Sequence, residues 1–509
     1  MPLTRAAAST PYRMYRKFRL PQFSRILSIG CFGALAVVAT AASPVVAQQP
    51  AFPGAEGAGR FTSGGRGTAA VPTTVFEVTN LNDDNQPGSL RYALTKAAPA
   101  RTVVFRVSGT IHLQSPLTIS KPNTTLAGQT APGDGICLAD YPVSVKANNV
   151  IIRFVRFRMG DKNQNKGQVD GGGGDDAFGG VRNSRLVIDH CTMSWSTDEV
   201  LSVYEGDSTT LQWNLLSEPL NYSYHFETGD KDFERHGYGG IWGGQHATMH
   251  HNLFAHCNSR TPRFNGSRYT HPAGFENVDF RNNVIYNWGE NNVYAGEGGN
   301  YNLVGNYYKH GPSTKESVKA RVVNPYKLDK GKNPLPYGKF YLSGNYVDAS
   351  ADVTRHNWRG VTMQGGTTAD TVLSKVNQPF DLGLVATQSA PDAYAAVLQS
   401  VGASLPRRDT LDQRIIRDVT QRRGRLIDVQ GGYPHGTPYS VSQKAWPELK
   451  STPAPTDTDH DGMPDAWEKS HGLNSQDAAD RAKTGPDGYT MLEVYLNSLA
   501  VLPTAPKGK

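Results

Sequence analysis

The sequence predicts an all-β chain, a right-handed parallel β-helix followed by a small C-terminal α module built on an EF-hand-like loop. Three observations predict it: short β-branched runs that repeat at coil-like intervals, an asparagine recurring at the same point of those runs, and an acidic twelve-residue loop near the end. With 509 residues, 38% of them hydrophobic and 19% charged, the chain can bury a large core and exceeds the usual length of one domain. One large domain and one small one are expected.

The first element is a leader, residues 1–47. Arg5, Arg13, Arg16, Lys17, Arg19 and Arg25 precede an apolar run from Ile26 to Ala42, and small residues follow up to Ala47. That is the layout of a secretory signal peptide, with Met14 as an alternative start; the rival reading is an uncleaved membrane anchor, for which the run is short. Secretion is therefore expected, with no membrane association once the leader is removed. The leader holds six basic residues and no acid, so the formal charge of +7 falls to about +1 without it. Nucleic acid loses its main support as a partner, and a monomer is expected. Cys137, Cys191 and Cys257 remain, an odd number without metal-type spacing. They read as small buried hydrophobes, or as one disulfide and a free thiol.

The second element, residues 50–435, is the solenoid. Runs starting at Asn123, Asn148, Ser184, Thr209, Ala247, Asn277, Tyr301 and Lys339 carry apolar residues at alternate positions, which point one way from a strand. Their intervals match one β-helix coil, or one coil with an inserted loop. Asn214, Asn252, Asn283, Asn306 and Asn345 recur near the run ends. Stacked in register, such side chains bond the same amide in the next coil and satisfy groups that a bend strands. The alternative is that Asn simply favours turns. From Val353 to about Pro434 the pattern loosens, with a helix expected from Thr410 to Arg422 that packs on the solenoid or caps it. Residues 436–455, rich in Ser, Pro and Thr, read as a linker.

The last element, residues 456–502, begins with Asp457-Thr-Asp459-His-Asp461-Gly462-Met463-Pro-Asp465-Ala-Trp-Glu468. This fits the EF-hand loop at positions 1, 3, 5, 6, 9 and 12. A hard cation wants many oxygens, alternate residues of a tight loop point inward, and glycine permits the sharp turn. Asp457, Asp459, Asp461, Asp465 and Glu468 are candidate calcium ligands, with Met463 giving its carbonyl. The loop resembles the EF-hand-like repeats of dockerins and thrombospondin type 3 segments. Asp487-Gly488 with Glu493 keeps a fragment of a second loop and reads as packing for the first.

The catalytic pattern is carried by Asp176-Ala-Phe-Gly-Gly-Val, Leu186-Val-Ile-Asp189-His190-Cys191, Trp195-Ser-Thr-Asp198-Glu199 and Asn258-Ser259-Arg260-Thr-Pro262-Arg263-Phe264. With Phe52-Pro-Gly-Ala-Glu-Gly-Ala-Gly and Pro87-Gly-Ser-Leu-Arg91, these segments resemble the pectate lyase family from Phe52 to about Gln430. The resemblance implies calcium-assisted β-elimination on polygalacturonate, the acidic polymer of plant cell walls. It implies that Asp176 and Asp198 hold the catalytic calcium. Ser202 stands where the family often has a third Asp, leaving Glu199, Asp175 or Asp170 as substitutes, or an ion that binds only with substrate present. Arg260 corresponds to the catalytic arginine, acting as the base or stabilising charge while water or hydroxide takes the proton. Arg263 corresponds to an arginine that grips a uronate carboxylate. The family's substrate-binding lysine is missing before Ile241-Trp242-Gly243, and His236 or Arg235 is expected to do that work. Asp189 and His190 are expected to hold the coil internally, and of His250 and His251 one is expected to face inward.

Two other classes remain open on the sequence alone. A β-helix polygalacturonase would use paired acids such as Asp175-Asp176 for hydrolysis, but its Arg-x-Lys element is missing. A non-catalytic pectin-binding or adhesin solenoid would need no arginine beside a cation site.

Overall fold

The computed structural model describes residues 48–501 apart from 69, 163–173, 228, 270, 332 and 384. The leader and Asp170 therefore lie outside the described residues. Alternating apolar residues fold into short strands that pair only in parallel, forming three sheets of ten, eight and nine described strands. Each sheet takes one strand from successive coils, which makes the chain a right-handed parallel β-helix.

In the ten-stranded sheet the register places Val103, Leu126, Ile152, Ile188, Leu211, Met249, Phe280, Leu303 and Leu342 in one inward column. All are buried in the main core. Such a column excludes water from coil to coil, and it explains why the run intervals were readable at all. Beside it Phe264, Tyr301 and Phe340 stack at 4.5 and 4.8 Å between centroids.

The recurring asparagines form a ladder. The Asn214 amide N–H donates to Asn252 Oδ1 at 2.9 Å, and the pattern repeats through Asn283, Asn306 and Asn345. It continues to Asn357, which the sequence pattern did not include, where the Asn345 N–H donates to Oδ1 at 2.9 Å. The three cysteines are free and buried. Asp189 is fully buried on Arg153 at 2.7 Å and His190 at 2.8 Å, so both motif residues bind within the coil. His250 and His251 are both buried, because His251 adopts φ 55° and breaks the strand alternation that allowed only one inside.

Helices Ala390–Ser400 and Thr410–Gln421 lie on the side of the nine-stranded sheet, where Val397, Leu411, Ile415 and Val419 cover Leu215, Leu253 and Val284. The second is the expected helix, and Arg414 on it is bound to Glu218 at 2.7 Å. Residues 436–455 do not hang free as a linker. Tyr439 donates to Asp140 at 2.6 Å, Trp446 packs edge-on against Trp195, and Ser451 pairs with Gly133. These anchors make the segment a strap along the solenoid. Among the described residues no helix is long and apolar enough to cross a membrane.

Candidate active site

Parallel register stacks like positions of successive coils about 4.8 Å apart. Phe178 and Leu201 open neighbouring strands of the eight-stranded sheet and pair, which brings the preceding residues Asp175 and Asp176 beside Asp198 and Glu199. Glu199 then bridges to Tyr238, and Tyr238 to Ser259. Four segments distant in sequence thus become one row, with Arg260 at its end.

Carboxylate oxygens of Asp176, Asp198 and Glu199 lie within 4.8 Å of one another. The Glu199 N–H donates to Asp176 Oδ1 at 3.0 Å. Burial and the neighbouring Asp198 charge push the Asp176 carboxyl well above its ordinary range. Oxygen-only carboxylate donors that repel one another fit a hard cation such as calcium. Asp175 donates its N–H to Thr197 and sits at the edge of this group.

Arg260 adopts φ 57° and pairs with Glu199, its guanidinium 4.4 Å from the Tyr238 ring centroid. It reaches that place because Gly239 and Gly240 run against its backbone: the Gly240 N–H donates to the Arg260 carbonyl at 2.8 Å, and a Cβ on Gly239 would lie 2.3 Å from that oxygen. Arg263, at the start of strand Arg263–Phe264, is bound to Glu297 at 2.7 Å beside Tyr294.

The two residues expected to replace the lysine are placed differently. His236 Nε2 meets Asp198 Oδ1 at 2.5 Å, so it belongs with the acid cluster. Burial works against ionising Asp198, but the His236 hydrogen bond and charge outweigh it and hold the carboxyl below its usual range. Arg235 is exposed and lies 4.6 Å over the Tyr222 ring. Sequence reasoning missed three neighbours. His225 stacks on His236 at 3.8 Å, and burial and that contact draw it down to about 4. Tyr238 underlies Arg260, and Glu297 holds Arg263. None stands in a recognisable motif, and each arrives from another loop or coil.

At the C terminus Asp457, Asp459 and Asp461 gather their oxygens within 4.8 Å, as their spacing implies, and Gly462 makes the turn with φ 93°. Met463 is buried there and Glu468 faces Asp461. Asp465 departs from expectation: the Thr458 N–H and hydroxyl donate to its two oxygens at 2.7 and 2.6 Å. Glu493 is taken by the capping box of helix Met491–Ser498 and by Arg66.

An all-parallel β-helix with a row of carboxylates and arginines lying across successive coils defines the class as a solenoid protein. No protein-family model matches the chain. The protein of Neosartorya fischeri named "Probable pectate lyase C" is 34% identical over 486 residues, covering 91% of this chain and 97% of that protein. The protein of the same name from Aspergillus flavus is 33% identical over 465 residues, covering 88% and 94%. The chain belongs to the pectate lyase family. Among solved structures, the cedar-pollen allergen jun a 1 superposes with a TM-score of 0.46 at 15% identity, over 68% of this chain and 92% of that one, a likeness that adds nothing to the assignment.

Proposed function

We propose that this chain is a secreted lyase that cleaves α-1,4-linked polygalacturonate by calcium-assisted β-elimination, leaving 4,5-unsaturated galacturonides. The observation that carries the reading is the single row formed by Asp176, Asp198, Glu199, Tyr238 and Arg260. In the reaction the C5 proton, adjacent to the carboxylate, is removed; the C4–O bond breaks, C4=C5 forms, and the leaving alkoxide is protonated.

Asp176, Asp198 and Glu199 would hold calcium against the substrate carboxylate. When bound, the ion supplies positive charge that acidifies C5 and stabilises the charge developing on that carboxylate. Arg260 is the catalytic residue, and its guanidinium must leave Glu199 to meet the sugar. Arg263, once exchanged from Glu297, offers a planar fork for a second uronate carboxylate. His236 orients Asp198 rather than gripping substrate. The leader layout supports export, and the near-neutral mature charge supports a polymer held by local cations rather than by a broadly basic surface.

The test is ultraviolet absorbance of the mature protein acting on polygalacturonate, with calcium and then with chelator. Calcium-dependent absorbance that Arg260→Ala abolishes is expected. Reducing ends without absorbance would make the protein a hydrolase; neither signal on any pectin would leave a binding solenoid.

A further inference from the structure

The C-terminal loop holds a set of acids that the elimination chemistry does not use. Asp457, Asp461, Glu468 and Asp480 are 4%, 1%, 0% and 1% exposed, burial that carboxylates tolerate only with partners. Their oxygens form two groups that share Asp461: one with Asp457 and Asp459, the other with Glu468 and Asp480, each within 4.8 Å. Among the described residues, both oxygens of Asp459, both of Glu468, Oδ2 of Asp461 and Oδ1 of Asp480 are buried without a hydrogen-bond donor. Arg106 at 3.6 Å from Asp457 and Lys483 at 3.6 Å from Asp480 set two cations against five acids. Taking such charges out of water is costly unless a counter-charge is present.

We propose that Asp457, Asp459, Asp461, Glu468 and Asp480 form one site for a hard divalent cation, calcium, in which Asp480 takes the place that the loop spacing assigns to Asp465. The six unpartnered oxygens match the oxygen-only, six-to-eight-coordinate preference of that ion. Asp465 shapes the loop instead, closing it by accepting both Thr458 bonds. Asp480 begins the 3-10 turn Asp480–Ala482, and the Asn474 N–H donates to its Oδ2 at 2.9 Å, leaving Oδ1 aimed at the site. The ion therefore ties the loop, helix Asp465–Ser470 and the segment after it into one body. That body rests on the first coils: His460 meets Glu77 at 2.7 Å, and Arg106 spans Glu77 and Asp457.

The experiment is a calorimetric calcium titration of the mature full chain carrying Asp176→Asn, which removes the cluster acid of the other site so that the C-terminal one reports. Its readout does not depend on lyase activity, so it stands or falls apart from the elimination reading. Adding Asp480→Asn, which keeps the oxygen that accepts from Asn474, is expected to weaken binding on the order of 100-fold, and Glu468→Gln similarly, while Asp465→Asn changes it less than about threefold. Metal-free circular dichroism of Asp480→Asn is expected to match its parent. Unchanged affinity in Asp480→Asn, a larger loss in Asp465→Asn, or a variant that unfolds without metal would each overturn the assignment of Asp480 as a ligand.

Discussion

Arg260 holds a left-handed backbone that costs a non-glycine residue on the order of 1 kcal/mol, and it persists because the neighbouring coil fixes it. The contact that fixes it is the pair Gly239-Gly240, so Gly239→Ala is expected to shift Arg260 and lower turnover by roughly 100-fold, with little change in circular dichroism. Unaltered turnover would show that the row tolerates displacement. A second residue, Glu276, is buried, and its Oε1 accepts from the Tyr301 hydroxyl at 2.6 Å and the Gly266 N–H at 2.7 Å. Burial pushes it up to about 7 from an ordinary 4.5. Between those values the folded chain keeps a proton that the unfolded chain has released, so stability falls as pH rises through this window and levels off on either side. The expected loss is roughly 3 kcal/mol by calorimetry, and Glu276→Gln should flatten it; an equal slope in the variant refutes the assignment. Arg260 and Asp176 could be singled out because each sits inside a short segment that resembles the pectate lyase family. Tyr238, His225 and Glu297 were not, because the coil register, set by loops of unequal length, decides which residues meet them. His236 shows the same limit: the missing lysine singled it out as a substrate contact, but its bond to Asp198 appears only in the folded row.

Among the elements, the asparagine ladder gives the sharpest energetic expectation. Asn252 accepts from the backbone and side chain of Asn214 at 2.9 and 3.0 Å and donates to Leu211 O and Asn283 Oδ1 at 2.9 and 3.0 Å. Truncating it strands several buried polar groups, each worth about 1–3 kcal/mol when unpaired. Asn252→Ala is therefore expected to lower urea-unfolding stability by about 3–5 kcal/mol; a loss under about 1 kcal/mol would return these residues to simple turn preference. The ladder was readable because its spacing follows the strand runs. Helix Ala390–Ser400 was not, since its buried face is largely Ala390, Ala393 and Ala396, too small to print a clear apolar period. The strap over 436–455 was misread for a related reason. Tyr439 and Trp446 are isolated anchors in a stretch whose composition otherwise resembles a linker.

At the scale of the whole molecule, a solenoid must protect what its outer faces expose. The C-terminal segment does so for the first coils: Met463, Leu492, Tyr495 and Leu496 cover Val104 and Ala127, with Val75 packed beside them. Arg481 adds bonds to the Thr73 carbonyl at 3.2 and 3.1 Å, and Arg66 holds Glu493 at 2.7 Å. If the loop acids order this cover by holding calcium, the ion stabilises the strands beneath it by mass action, about 4 kcal/mol at a thousandfold excess over Kd. Because each coil touches only its neighbours, that gain should stay local. Calcium is therefore expected to slow hydrogen exchange in Thr74–Val78 and Arg101–Phe105 while leaving Asn300–Val304, several coils away, nearly unchanged. Asp480→Asn should erase the difference with the active-site acids intact. Protection spread evenly over all three strands would mean instead that calcium acts on the solenoid as a unit, through the row of Asp176, Asp198 and Glu199 rather than through the C-terminal cover.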